Sequence, residues 1–406
     1  MNRRTLIMLV VATAIAGCGQ RSVETKRLRV VVAGAGVVGA SIAYHLAKAG
    51  ASVTVIDRLG PATHASRGTF AWVNATWAKQ PRHYHALSQD GLANWKDLQQ
   101  LLDLPIRWGG SLEWFDNDIR QEQLAAQIAE QIEWGEPARM VSASEIAKLE
   151  PNLKIGPGVS AAYSSNDGAV DPVLATRRLL DAAKQLGATV SYPCELIDTS
   201  MSDGRLTSVE TTTGSIKADR LVLATGAAPG PPSRIAGIDI PQRSTPGVIA
   251  LTKPMPRLVN RIIVAPGVHM HQRDDGRFVL GEQDGAPKTE AHALRLEGQP
   301  NDFPTKLVAQ EHGDRILDIA TRFVPGIADA EVDTACIGWR PLPIDGHPVL
   351  GVNPDRRDVY MAIMHSGVSL APIVGQLVSL ELIEDVVIER LERYRPTRSF
   401  EHVERY

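Results

Sequence analysis

Two rhythms of apolar and polar positions run along this chain. An unbroken apolar run from Leu28 to Ala33 predicts a buried strand, and Ser41–Lys48 carries helical spacing up to Gly50. A second apolar strand, Val53–Ile56, then ends at Asp57. Helical spacing returns over residues 82–103, where Leu87, Leu92, Trp95, Leu98, Leu101 and Leu102 share a face. A strand region at 107–115 precedes a polar helix, Ile119–Trp134, and a short helix, Ser142–Leu149, capped by Ser142 or Ser144. Asp171-Pro172 opens a helix that runs to Gln185, with proline at the first helical position. Ala188–Tyr192 is a strand, Leu196–Gly214 a hairpin about Asp203-Gly204, and Ala218–Ala224 a buried strand running into Thr225-Gly226. Several strands follow in 245–282, then an amphipathic helix at Phe303–Phe323. Val359–Ile363 is a strand, His365–Ser369 a turn, and a helix starts at Leu370. No internal repeat is visible.

The first strand, helix and second strand bracket Gly34-Ala-Gly36-Val37-Val38-Gly39. In such a βαβ unit the first glycine allows a tight turn, the second lets the backbone approach a pyrophosphate, and the third lets helix and strand pack closely. The helix N-terminus adds positive field at the phosphates. Asp57 lies about 20 residues on, where a carboxylate accepts hydrogen bonds from a ribose. The pattern predicts an α/β protein with a discontinuous Rossmann-like dinucleotide domain at 28–80, 168–244 and 335–395. Residues 81–167 and 245–334 form an inserted α+β unit with a mixed antiparallel sheet, and 396–406 a tail.

With 406 residues the chain exceeds one ordinary core. Its net charge of −3 and lack of a basic tract argue against nucleic acid as a partner. Residues 1–17 read as a signal peptide: Arg3 and Arg4, a short uncharged stretch, then Ile15-Ala16-Gly17-Cys18. That tetrapeptide resembles a bacterial lipobox, making Cys18 the lipidated first residue and 18–27 a tether. The expected location is therefore the periplasmic side of a bacterial membrane, held by a lipid anchor. The arginine pair partly matches a twin-arginine signal, which suits cargo folded around its cofactor. Cys194 and Cys336 are too few for a disulfide scaffold or metal cluster, and no metal site is expected.

An ordered set of segments resembles the flavoprotein oxidoreductases of the D-amino-acid oxidase, glycine oxidase and sarcosine oxidase type. The set comprises the 34–39 turn, Asp-Gly-x-Val-Asp-Pro at 167–172, the hairpin containing Leu196, Leu-Ala-Thr225-Gly226-Ala, Gly338-Trp-Arg340-Pro341-Leu-Pro-Ile-Asp345-Gly346-His-Pro348-Val-Leu-Gly351 and His365-Ser366-Gly367-Val368. The resemblance implies FAD, wrapped along its length by several small-residue turns, rather than a dissociable nicotinamide. It implies Gly34, Gly36, Val37, Val38 and Gly39 at the pyrophosphate, Asp57 at the adenosine ribose and Arg58 beside the adenosine. Ser66 would lie near phosphate, the Leu196 backbone against adenine, and Thr225 and Gly226 along the cofactor's middle. Gly338 counts among the cofactor contacts, and Ser366, Gly367, Val368 and Ser369 lie near the flavin pyrimidine ring, at a helix N-terminus that can stabilise charge on reduced flavin. Asp57 stands where glutamate is more usual. Some sarcosine oxidase relatives attach flavin through a cysteine that would fall at Gly338, so non-covalent FAD is expected here.

By the same resemblance Arg340 pairs with a substrate carboxylate, which its planar guanidinium suits; a structural pairing with Asp345 or another acid is the alternative. His269 falls where relatives carry a substrate-side tyrosine. His269 or His271 lines the pocket, or both are solvated strand histidines. His365 sits above the flavin or merely caps its turn. The expected activity is oxidation of a small amino acid or secondary amine by hydride transfer to flavin N5, giving an imine that hydrolyses to a keto acid. The acceptor is oxygen, a quinone or a carrier. Oxidation of a 2-hydroxy acid or other CH–OH substrate, or a non-catalytic lipoprotein on the same fold, are the alternatives.

Overall fold

The apolar runs become the middle of a six-stranded sheet. The computed structural model describes residues 27–403 apart from 78, 228–230 and 283–299. The expectations for the signal peptide, Cys18 and most of the tether lie outside the described residues. The sheet order is Val349–Val352, Val359–Ile363, Arg220–Leu223, Arg29–Ala33, Ser52–Ile56 and Thr189–Ser191. All neighbours are parallel except the first pair, which is antiparallel. Val31 lies between Leu221 and Thr54. Parallel strands buried on both faces need continuous apolar sequence, which Val30–Ala33 and Leu221–Leu223 supply. Helices Val37–Lys48, Pro172–Gln185 and Gly367–Glu384 cover one face. The three-stranded hairpin sheet of Leu196–Ser202, Arg205–Thr211 and Gly214–Lys217 lies towards the other. Asp171 caps the second of these helices by accepting from Val173 and Leu174, and Pro172 sits at its first position.

The second layer is an eight-stranded mixed sheet. Its order is Val332–Pro343, Gln242–Thr252, Phe278–Gly281, Val268–Gln272, Ile262–Ala265, Ser111–Glu113, Ser160–Ser164 and Ala138–Ser142. Only the contact between Ile262–Ala265 and Ser111–Glu113 is parallel. Val248, Ala250, Met270, Phe278 and Leu280 pack with Ile316, Leu317 and Ala320 of the Lys306–Phe323 helix. Side chains alternate along a strand. Ile249, Val279 and Cys336 therefore face the other way and pack with Phe70.

Two boundaries differ from those expected. The Arg82–Leu102 helix, read as part of the 81–167 insertion, packs Leu87, Leu92, Trp95 and Leu98 into the core beside the six-stranded sheet. Its apolar stripe matches the Gly367–Glu384 helix, whose backbone approaches so closely at Ser369 that Gly91 has no room for a Cβ. Residues 335–343, read as part of the dinucleotide region, extend the eight-stranded sheet by pairing along Gln242–Ala250. The last helix begins at Gly367, three residues before Leu370. Cys194 and Cys336 are free, buried, and in different clusters.

Candidate active site and cofactor groove

The three separated turns meet. Gly34 has φ of +107°, and a Cβ there would overlap the Ala224 carbonyl oxygen, so the 34–39 turn abuts Ala224-Thr225-Gly226. A Cβ on Gly39 would overlap the Gly34 carbonyl oxygen, which is the close helix–strand packing expected of the third glycine. On the other side a Cβ on Gly367 would lie 3.0 Å from Val38 Cγ2, placing the Ser366–Ser369 turn against the start of the same helix.

Around this junction the polar groups are set by backbone geometry. Asp57 Oδ2 accepts from the Ala35 N–H at 2.8 Å, while Oδ1 accepts from Leu59 at 2.9 Å and Gly60 at 2.8 Å. Each oxygen accepts as many as two hydrogen bonds, so the carboxylate pins the glycine turn and retains acceptor capacity at Oδ2. Ser66 Oγ accepts from Val37 N–H at 3.0 Å, at a helix N-terminus whose preceding residue, Gly36, offers no side-chain cap. A Cβ on Gly36 would lie 3.1 Å from that same oxygen. Thr225 Oγ1 is buried with no hydrogen-bond partner among the described residues. A side-chain-free cradle, a helix N-terminus and an orphaned hydroxyl form the donor set that a dinucleotide pyrophosphate requires, and the residues fit FAD.

Other expected cofactor residues fall at the margins of this junction. Arg58 is exposed, its Nη2 3.2 Å from His64 Nε2. Leu196 begins the hairpin opposite Thr211, and the preceding Cys194 N–H donates to the Asp57 carbonyl at 2.8 Å, holding this segment beside Asp57. Gly338 has a packing reason: a Cβ there would overlap the Gly68 carbonyl, and a Cβ on Gly68 would overlap Gly338. The two backbones pass in contact, fixing the Ser66–Gly68 loop to the eight-stranded sheet. Ser369 Oγ accepts from Asn74 N–H at 3.1 Å, tying the 70–77 segment to the turn before the last helix.

Arg340 acts electrostatically on both His269 and His365, although 71 positions separate it from the first and 25 from the second and each of the three lies on a different part of the fold. Arg340 and His269 lie on the sheet face that also carries Ile249, Val279 and Cys336. Arg340 folds over Gly247, whose missing Cβ would lie 2.8 Å from Nη2. His269 lies over Gly281, where a Cβ would overlap Nε2. Desolvation, followed by the nearby Arg340 cation, pushes the His269 pKa down to about 3. Burial and the Arg340 and Lys79 cations hold His365 well below the ordinary histidine range. Both imidazoles are therefore neutral at physiological pH. Phe70 covers His269 with ring centroids 4.1 Å apart, and Trp77 lies 6.3 Å from His365.

Two of the residues offered by the sequence have specific partners. The ion-pair partner of Asp345 is Arg398, which holds it bidentately at 2.8 and 3.0 Å. His271 is not a solvated strand histidine: it is buried, with Nε2 3.0 Å from the Phe70 carbonyl, and burial drives its pKa down to about 3. Sequence reasoning missed Phe70, Gly247, Gly281, Lys79 and Tyr84. Only the two glycines left a signal, since glycine inside a strand marks a close approach.

An α/β fold with a dinucleotide cradle at one sheet and an arginine near a histidine on a second sheet has the organisation of a flavoprotein oxidoreductase. The match to the FAD dependent oxidoreductase family model spans residues 29–380, and the chain belongs to that family. It is an FAD-dependent enzyme. It is similar to glycine oxidase of Bacillus licheniformis, 26% identical over 92% of this chain and 98% of the relative. The structure of glycine oxidase from Geobacillus kaustophilus superposes with a TM-score of 0.81, covering 92% of this chain and all of that one at 23% identity. That of iminodiacetate oxidase from Chelativorans sp. BNC1 gives 0.72, over 91% and 99%, at 25% identity.

Proposed function

We propose that the protein oxidises the C–N bond of a small amino acid or secondary amine, releasing an imine that water converts to a keto acid. The observation that carries this reading is Arg340, seated on the bare Gly247 backbone beside two neutral histidines. A guanidinium there can hold a substrate carboxylate through two charge-assisted hydrogen bonds. His269, neutral above about pH 3, can accept a hydrogen bond from the substrate amine while adding no charge that competes with Arg340. Phe70 packs against His269 and Trp77 lies near His365, adding apolar surface beside these groups. FAD, bound non-covalently, supplies the two-electron acceptor, and no dedicated base is demanded because positioning carries most of the barrier reduction. The names of the relatives, glycine oxidase and iminodiacetate oxidase, support an amine with at least one carboxylate.

The test is anaerobic titration of the yellow protein with D- and L-amino acids, N-alkyl glycines and 2-hydroxy acids, followed by flavin bleaching. Amines should bleach it, and Arg340→Ala should abolish saturation. Bleaching by hydroxy acids alone would replace this reading with CH–OH oxidation. Export and lipid anchoring at Cys18 belong to the same proposal, with oxygen, a quinone or a carrier as the final acceptor. Labelled palmitate should appear in the wild-type chain and be absent from Cys18→Ala; label absent from both would remove the anchor.

A further inference from the structure

Lys79 is only 1% exposed. Withdrawing an ammonium from water is costly unless its charge is used, and its neighbours indicate the use. Nζ donates to Ser366 Oγ at 2.5 Å and lies 5.2 Å from the centre of the Tyr84 ring. The Tyr84 hydroxyl donates to the same Ser366 Oγ at 2.9 Å. A serine hydroxyl has two lone pairs and one proton. With both lone pairs engaged, the Ser366 proton has only an onward acceptor to serve. Ser366 immediately precedes the Gly367–Glu384 helix, in the turn packed against Val38 at the cofactor groove.

We propose that Lys79, Tyr84 and Ser366 form a polarising relay that presents one hydroxyl proton to the flavin end of the groove, with Lys79 as the positioning residue that makes the flavin easier to reduce. The inference rests on the reading that places the FAD ring at this turn. A cation bonded to Ser366 Oγ strengthens that hydroxyl as a donor. It adds to the field of the helix N-terminus, where negative charge is favoured. The relay transfers neither electrons nor protons. Both electrons would come from the substrate, and Lys79 and Ser366 would favour the negative charge that bound FAD carries once reduced. The same cation reaches His365 on the groove side and His85 behind it, adding in each case to the effect of burial in holding the imidazole neutral. Around His85 stand Glu136, 3.3 Å from Nε2, and the Ala75 carbonyl at Nδ1.

The test uses the purified holoprotein and the variants Lys79→Met, Lys79→Arg, Ser366→Ala and the Lys79→Met/Ser366→Ala double variant. The readouts are the sulfite dissociation constant, the FAD midpoint potential and the FAD content. Lys79→Met should weaken sulfite binding at least tenfold, equivalent to a potential about 30 mV lower for a two-electron couple. FAD content should remain one per chain, and Lys79→Arg should recover to within threefold of wild type. In the Ser366→Ala background the Lys79→Met effect should shrink to less than threefold. A fully loaded Lys79→Met protein with wild-type sulfite affinity and potential would overturn the proposal, as would an undiminished effect in the Ser366→Ala background. Should Lys79→Met fail to accumulate, Tyr84→Phe returns one lone pair to Ser366 and should weaken sulfite binding about threefold; no change would overturn the relay. A wild-type protein that never takes up FAD would instead overturn the groove assignment beneath it.

Discussion

Replacing Gly247 by alanine tests the pocket with little disturbance to the fold. The new methyl would lie 2.8 Å from Arg340 Nη2, 3.1 Å from Nε and 3.3 Å from Cζ. Unstrained heavy-atom contacts lie near 3.5 Å, so the guanidinium must lift from the strand by roughly 0.7 Å. The obstructing atoms are the far end of a flexible side chain, so the backbone need not move. Glycine-to-alanine replacement also reduces the freedom of the unfolded chain, by about 0.4–1 kcal/mol, and the melting temperature should change by only a few degrees. Activity should respond far more, because a displacement of about 1 Å at a reacting centre can cost about 100-fold. The expected loss in the rate constant for anaerobic flavin reduction is about 10- to 100-fold, measured by stopped flow against substrate concentration. Arg340→Ala removes both charge-assisted hydrogen bonds, each worth about 1.5–3 kcal/mol, and should cost about two to four orders of magnitude in kcat/KM. A Gly247→Ala enzyme reducing its flavin at the wild-type rate would show that the guanidinium does not act from its seat on Gly247.

Gly39→Ala places a methyl onto the Gly34 carbonyl, which cannot rotate away, so this variant should purify colourless; a normal ratio of flavin to protein absorbance would contradict that. Asp57→Asn replaces one acceptor oxygen with a donor amide facing backbone N–H groups, and ultrafiltration should show FAD affinity lower by about 1.5–3 kcal/mol; unchanged affinity would remove the carboxylate from cofactor binding. Burial raises Asp167 to about 7 and Glu113 to about 8, so the native state holds these protons more tightly than the unfolded chain and their contribution to stability falls from about pH 4 up to those values. His269 and His271, held near 3, contribute in the opposite direction, gaining stability up to about pH 6.5. The wild type should therefore lose stability to urea between about pH 6.5 and 8, and Asp167→Asn should lose less; equal slopes would refute the assignment. Acid precipitation should release all yellow colour, since Gly338 cannot form a thioether and burial raises the pKa of the Cys336 thiol; colour retained on the polypeptide would refute non-covalent binding.

Much of the dinucleotide half was readable because its determinants are local. The strand, glycine turn, helix, strand and acid lie within Leu28–Asp57, and each property depends on spacing of a few residues. Asp171-Pro172 and the Ser142/Glu145 capping box likewise mark helix starts through short-range hydrogen bonds. The Arg82–Leu102 stripe was equally clear as a helix, but the core it would enter was not. A helical period states that one face is apolar and leaves its partner unspecified.

The active-site candidates divide the same way. Arg340, His269 and His365 were chosen singly, by chemistry and resemblance. Their meeting depends on the strand pairing of 242–252 with 332–343 and of 268–272 with 278–281. Nothing in the sequence singles out Lys79, and its burial against Ser366 spans 287 positions of sequence. The amino-acid sequence by itself determined the βαβ unit, the periods of the helices and strands, and the residue types available for carboxylate and flavin contact. Tertiary structure alone decided that the separated turns pack against one another, that bare glycines seat Arg340 and His269, and that a buried lysine stands against Ser366. Periodicity is a property of neighbours along the chain, whereas desolvation and electrostatic coupling are properties of neighbours in space.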